Sequence, residues 1–429
     1  MSWDFSTEPE FEEKLEWMRS FVRERVWPLE VLETDDETFK RILRELQAEV
    51  KSQGLWATHL PPELGGQGYG QVKLALMHEI EGTSYWGPIV FGNQAPDSGN
   101  GEILALAGTQ AQKERWLYPL LAGEMMSAFS MTEPENAGSD PTQLSTTAVL
   151  EGGEWVINGH KWYSSNAMGA DFLIAMVVTE PDAEPHNRAS MIIVPRDAPG
   201  LNVVRNVPTM FGLEERFRMG HPEVFYENCR VPSNNLLGRR GQGFELAQMR
   251  LGPGRIHHCM RWLGQARRAF DAMCERALQR HVGGEPLASK QTIQNWIADS
   301  AAEMTAARLL TLYAAWMIEQ HGPKAARTEI SMIKYYGATV LFNVIDRAIQ
   351  THGGLGYTSD MPLEEMYRAA RASRLVDGAD EVHRVAVARR VLRGYTAPDG
   401  IWPRDHIPTR RKAAMGLFAE YLTQSAANA

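Results

Sequence analysis

The chain has 429 residues, 44% of them hydrophobic and 23% charged, which excludes a disordered chain and gives room for two or three domains without disulfide or metal staples. Its formal net charge of −9 repels nucleic-acid phosphates and anionic lipid, so neither nucleic acid nor membrane is expected as a partner. Three cysteines (Cys229, Cys259, Cys274) without metal-type spacing, no basic-then-apolar leader pattern and no apolar span of membrane length together read as a cytoplasmic protein.

From about residue 8 to 125 the pattern is helical. Phe11, Leu15, Met18, Phe21 and Val22 recur at helical spacing, as do Ile42, Leu43, Leu46 and Val50. The stretch from Pro61 to Gly70, rich in Gly and Pro, reads as a loop between helices. From about 126 to 240 the signal changes to short β-favouring runs, Thr146–Leu150, Trp155–Ile157 and Phe172–Val178. Gly152-Gly153 and Asn158-Gly159 read as hairpin turns, and Glu180 to Arg188 as an exposed loop. From Phe244 helical periodicity returns over roughly 244–281, 287–321, 324–352 and 362–394, with a last short helix near 410–425. The expected fold class is α+β multidomain: an N-terminal α-helical domain over 1–125, a central β domain over 126–240 and a C-terminal four-helix bundle with a short tail over 241–429.

Phe129-Ser130-Met131-Thr132-Glu133-Pro134-Glu135-Asn136-Ala137-Gly138-Ser139-Asp140 lies where the first helical region meets the β domain. On chemistry alone its hydroxyls and flexible backbone suit a wrap around a polar cofactor, and equally a turn connecting two domains. It is followed in order by Gly159–Ala167, Phe225–Pro232, Gly241–Phe244, Gly254-Arg255 and Gln350–Tyr357. As a set these strings closely resemble the signatures of the FAD-dependent acyl-CoA dehydrogenase family, over nearly the whole chain.

The resemblance implies that Phe129, Met131, Thr132, Gly138 and Ser139 line the flavin ring and pyrophosphate, Ser139 also reaching CoA, while Tyr163, Ser164 and Ser165 cover the other side. Tyr163 stands where the family usually has Trp, keeping aromatic packing and exchanging an indole donor for a phenol. Arg280, Gln291, Gln350, Gly353 and Gly354 match positions that reach the adenosine pyrophosphate of a neighbouring subunit's FAD, implying a homodimer or homotetramer. On charge alone Arg280 reads as a helix-terminal Arg stabilising the last carbonyls. Arg255 matches an Arg near the catalytic carboxylate, and on its own reads as an ordinary ion-pair residue.

Removing hydrogens from two adjacent saturated carbons needs a base for the α proton and an acceptor for the β hydride. The family's usual base is a Glu after the glycine-rich turn. Here the matching string is Leu375-Val376-Asp377-Gly378-Ala379-Asp380-Glu381, which makes Asp377 the base. The shorter side chain retracts the carboxylate by about 1 Å, a misplacement worth about a hundredfold in rate unless the pocket compensates. By the same resemblance Val376, Asp377 and Gly378 bind substrate, with the Asp377 amide donating to the thioester oxygen, and Ala379 and Glu381 contact the flavin. Asp380 and Glu381 read in their own right as helix-start carboxylates that cap or form ion pairs.

This Asp-containing pattern resembles the branch that in animals is fused to a kinase-like domain, which implies longer, branched or 4-hydroxylated acyl-CoAs as substrates. An electron-transferring flavoprotein is the implied acceptor. Two rivals share the fold: a flavin oxidase acting on a carbon acid such as a nitroalkane, and a nonenzymatic nucleic-acid-binding relative, which the acidic balance disfavours. No metal is expected, since none of the twelve His residues has a Glu three positions before it as a di-iron bundle requires, and His257, His258 and His352 read as packing or hydrogen-bonding residues.

Overall fold

The computed structural model describes residues 5–210 and 220–422. One compact unit runs from the N-terminus to Arg384 and a second from Val385 onward. Among the described residues no helix is long and apolar enough to cross a membrane.

In the first unit α1 (Pro9–Phe21) buries Phe11, Leu15, Met18 and Phe21, one stripe at helical spacing. Helix α2 (Asp36–Ser52) starts at Asp35, whose carboxylate accepts the Thr38 N–H at 2.9 Å, the N-cap that exposed first-turn amides require. Helices α3 (Gln71–Glu81) and α4 (Asp97–Ala107) follow.

The sheet has strands β1 (Ser127–Ser130), β2 (Thr147–Glu151), β3 (Glu154–Lys161), β4 (Phe172–Val178), β5 (Ala189–Pro195), β6 (Leu201–Asn206), β7 (Pro222–Pro232) and β8 (Leu236–Leu237). Their order is β6-β7-β3-β2-β4-β5-β8, with β1 pairing β4 in parallel. Strand β4, Phe-Leu-Ile-Ala-Met-Val-Val, is buried along its whole length because both of its faces are covered. Leu173, Ala175 and Val177 pack with Trp155, Ile157 and Val224, while Phe172, Ile174 and Met176 pack with Leu60, Leu104 and Trp116 from the helical side. The β2–β3 hairpin turns at Gly152 and Gly153, both at positive φ.

Asn158-Gly159, expected as a second hairpin turn, lies inside β3, at an irregularity in its pairing with β7 between Ile157 and Gly159. The glycine is there for proximity: a Cβ at 159 would stand 2.4 Å from the Thr146 hydroxyl. A turn signal and a bulge signal share the same dipeptide.

Three long helices, α5 (Gly243–Gln279), α6 (Gln291–His321) and α7 (Arg327–His352), form the bundle with α3 laid against it. At the α3–α5 crossing, Cβ atoms at Gly82 or Gly264 would fall within 2.3 Å of the facing backbone, at Arg261 or Glu79, so only glycine lets the two chains come this close. The helix expected over 362–394 is two helices, α8 (Leu363–Ser373) and α9 (Asp380–Leu392). Between them Asp377 and Gly378 take φ of 55° and 97°, and two successive residues in the left-handed region end any right-handed helix. The second unit holds the rest of α9 and α10 (Ile407–Leu417), which buries none of its residues.

Candidate active site

The loop leaving β1 and the one leaving β3 are tied together. The Trp162 N–H donates to the Thr132 carbonyl at 3.0 Å, and the buried Lys161 ammonium donates to the Met131 carbonyl and to Glu133 Oε1, both at 2.8 Å. Glu133 also accepts the Ser145 and Thr146 amides at 2.7 and 2.8 Å. Burial alone would raise the Glu133 pKa; Lys161 and these donors outweigh it and hold it at about 2. The chain from Met131 to Asp140 is thereby fixed over the end of the sheet.

The two strings expected to flank a flavin therefore meet at one place. Phe129 is half-buried with the Arg250 guanidinium 4.2 Å above its ring. Thr132 and Gly138 border a recess with Asn136, Asp140 and Leu144, and Ser139 is exposed beside it. Tyr163, at φ 49° and 43% exposed, meets Trp162 edge-on at 4.9 Å. Ser164 is fully buried with its hydroxyl 2.9 Å from that of Ser130, and the Ser165 hydroxyl lies 2.9 Å from His221 Nδ1. The buried Trp162 indole N–H has no partner among the described residues, so the donor exchanged for a phenol at 163 is present one residue earlier. A recess, an exposed aromatic face and an unpaired buried donor at one sheet end fit a flat, polar, ring-bearing group such as FAD.

Asp377, in the α8–α9 break, faces α5. Arg255 donates to its carbonyl from Nε at 3.2 Å and from a terminal nitrogen at 3.0 Å, His383 Nε2 lies 3.1 Å from the same oxygen, and His258 Nε2 lies 3.3 Å from Oδ2. Burial pushes the Asp377 carboxyl up, but His258, Arg255, Arg250 and Lys334 together hold it below the ordinary aspartate value. Burial also lowers His258 and, to about 4, His383. The arrangement is an ionised carboxylate flanked by arginines, a lysine and two imidazoles, available to accept a proton.

Gly378 forms the turn beside His383, Val376 is 45% exposed and Ala379 is half-buried. Glu381 is exposed, whereas Asp380 is buried against Arg374 at 2.8 Å and Lys334 at 3.6 Å, the ion-paired helix-start carboxylate its position suggests. Arg280, Gln291, Gln350, Gly353 and Gly354 are exposed and do not join this cluster. Arg280 closes α5 twenty-five residues beyond Arg255, roughly 37 Å along the helix.

Three neighbours of the site escape a reading by motif. Arg250 Nε is buried without a hydrogen-bond partner among the described residues. Glu102, on α4, is pushed up to about 8 by burial, with Arg250 opposing. His258 reads from sequence as a packing or hydrogen-bonding residue, with no partner named. No local pattern marks Glu102, while Arg250 and His258 lie five and three residues from Arg255 in the chain.

The sequence matches the family profiles for the acyl-CoA dehydrogenase N-terminal domain over residues 8–124, middle domain over 128–229 and C-terminal domain over 241–392. It is 46% identical over 360 residues to the Mycobacterium tuberculosis protein named "Probable acyl-CoA dehydrogenase FadE2", covering 83% of this chain and 87% of that one. Acyl-CoA dehydrogenase family member 11 of Rattus norvegicus is 44% identical over 354 residues, 82% of this chain but only 45% of the longer rat protein. A solved structure from Mycobacterium abscessus has a TM-score of 0.86 at 40% identity, covering 91% of this chain and 100% of that one. The glutaryl-coenzyme A dehydrogenase–glutaryl-CoA complex has 0.80 at 26%, covering 92% and 98%. The chain belongs to the acyl-CoA dehydrogenase family of oxidoreductases.

Proposed function

We propose that the protein carries out FAD-dependent α,β-dehydrogenation of an acyl-CoA thioester to a 2-enoyl-CoA, with Asp377 as base. The observation that carries this reading is an ionised, half-buried carboxylate at a helix break, among Arg255, His258 and Arg250, with Arg250 also stacked on Phe129. Phe129, Met131, Thr132, Gly138 and Ser139 hold one side of FAD, and Tyr163, Ser164 and Ser165 the other, with Ala379 and Glu381 near its ring. When bound, FAD supplies the hydride acceptor.

Asp377 takes the α proton as the Cα–H bond breaks, and that bond's electron pair forms the new Cα=Cβ double bond as the β hydrogen leaves with its own pair. The Asp377 amide donates to the thioester oxygen, where negative charge develops. Val376, Gly378 and Ser139 contact the substrate, and Arg255 anchors the main chain of the base. Arg280, Gln291, Gln350, Gly353 and Gly354 serve the adenosine end of FAD in a second copy of the chain, a homodimer or homotetramer, and an electron-transferring flavoprotein collects the electrons.

The test is flavin absorbance under anaerobic titration with straight, branched and 4-hydroxy acyl-CoAs, in the wild type and Asp377→Asn. Bleaching by one class, slowed more than about a hundredfold in the variant, is expected. Undiminished bleaching in the variant removes Asp377 as base, and no bleaching by any thioester, with rapid oxygen turnover of a nitroalkane, overturns the dehydrogenase reading in favour of an oxidase.

A further inference from the structure

Arg255 and His258 are three residues apart on α5 and so share one face of the helix. That face meets Asp377 twice, Arg255 at the main-chain carbonyl and His258 at carboxylate Oδ2. The His258 side chain is 29% exposed and that of Asp377 23%, so the contact is largely screened from water but open on one side.

We propose that His258 is a positioning residue for this reaction: across the 3.3 Å contact its imidazole holds Oδ2 of Asp377 and leaves Oδ1 presented to the α carbon of the substrate. The inference rests on Asp377 being the base. An aspartate carries its carboxylate on a short stem, and its position follows directly from the backbone and one side-chain torsion. Here the backbone is at φ 55° and its carbonyl is pinned by Arg255, leaving the side-chain torsions as the remaining freedom. His258 restricts them. Contacts of this kind are often long in the absence of substrate and tighten when it binds.

The protonation states agree with this role. Arg255, Arg250 and Arg261 on α5, Lys334 on α7 and His383 on α9 surround the pair, with Asp380 compensating Lys334. Burial and the nearby cations lower the His258 pKa against the pull of Asp377. An imidazole 3.3 Å from the carboxylate favours its ionised form, the form that acts as a base. No proton is transferred to His258 in the step: the α proton ends on Asp377.

The experiment compares His258→Leu, which removes the polar ring, with His258→Gln, whose side-chain amide reaches to about the same place, using stopped-flow bleaching of the FAD-loaded enzyme by its best acyl-CoA. His258→Leu is expected to lower the limiting rate about a hundredfold while changing acyl-CoA affinity less than about threefold. It also moves the acid limb of the rate-over-affinity profile to higher pH, because a group that favours the ionised carboxylate is gone. His258→Gln recovers the rate to within about tenfold of wild type.

Wild-type rate and acid limb in His258→Leu overturn the proposal. So does an equal loss in both variants with the limb unmoved, which is what loss of the His258 ring's packing alone produces, its centroid lying 6.2 Å from that of Trp262. Asp377→Asn, run alongside, separates the two levels. If it bleaches as fast as wild type, the base assignment falls and this inference with it; if it is silent while His258→Leu is unimpaired, only the positioning role falls.

Discussion

Asp377 occupies a left-handed backbone conformation that few side chains other than Asn and Asp accept without strain. Asp377→Asn therefore removes the proposed base while keeping the turn, whereas Glu, the residue usual in the family, is strained at this backbone geometry. The carboxyl is held below its ordinary value, so Asp377 is ionised and competent above that value and loses its capacity only as pH falls through the lowered one. Bleaching rate over affinity, followed by stopped-flow pH jump, is expected to stay level from neutral pH down to about 4 and to fall below it. A limb near pH 6 contradicts this electrostatic picture. At this scale a contiguous string, as at 375–381, was enough to nominate a carboxylate. The contact of His258 with Asp377 and the burial of Glu102 were not legible because their surroundings come from elements distant in the chain.

Elements were legible where a single periodicity ran unopposed: β4 as an apolar run, α1 as a stripe of Phe11, Leu15, Met18 and Phe21. Reading failed where punctuation competed with periodicity. The apolar spacing over 362–394 runs straight through Asp377-Gly378, and the turn won because two left-handed residues cannot be built into a helix. At Asn158-Gly159 the reverse happened, and a turn-like pair was absorbed into a strand because pairing with β7 continues past the bulge. The loop after β1 owes its shape to the Lys161–Glu133 pair, both side chains fully buried. Lys161→Met is expected to cost about 3–5 kcal/mol, read by denaturant unfolding, since it strands a buried carboxylate. Glu133 is depressed to about 2, so its contribution is present above the ordinary carboxylate range and is lost as pH falls toward 2. The penalty of the variant is accordingly expected to shrink in acid.

For the whole molecule, the order helices, strands, helices was plain in the sequence, but the distance between the two groups of expected flavin contacts was not. Asp377 lies beside Arg255, and Arg280 lies roughly 37 Å farther along the same helix. That separation supports a cofactor site completed by a second copy. Arg280→Ala is expected to weaken FAD retention about tenfold or more, measured by fluorescence of released flavin on dilution, because a charge-assisted contact to a pyrophosphate is lost. Unaltered retention counts against the shared site. Strand β4 divides its side chains between two separate hydrophobic cores, one within the sheet and one against the helices. Neither core can melt without stripping one face of the same seven residues. Its two halves are thus thermodynamically yoked, and the strand works as the coupling through which damage to either core is felt in the other.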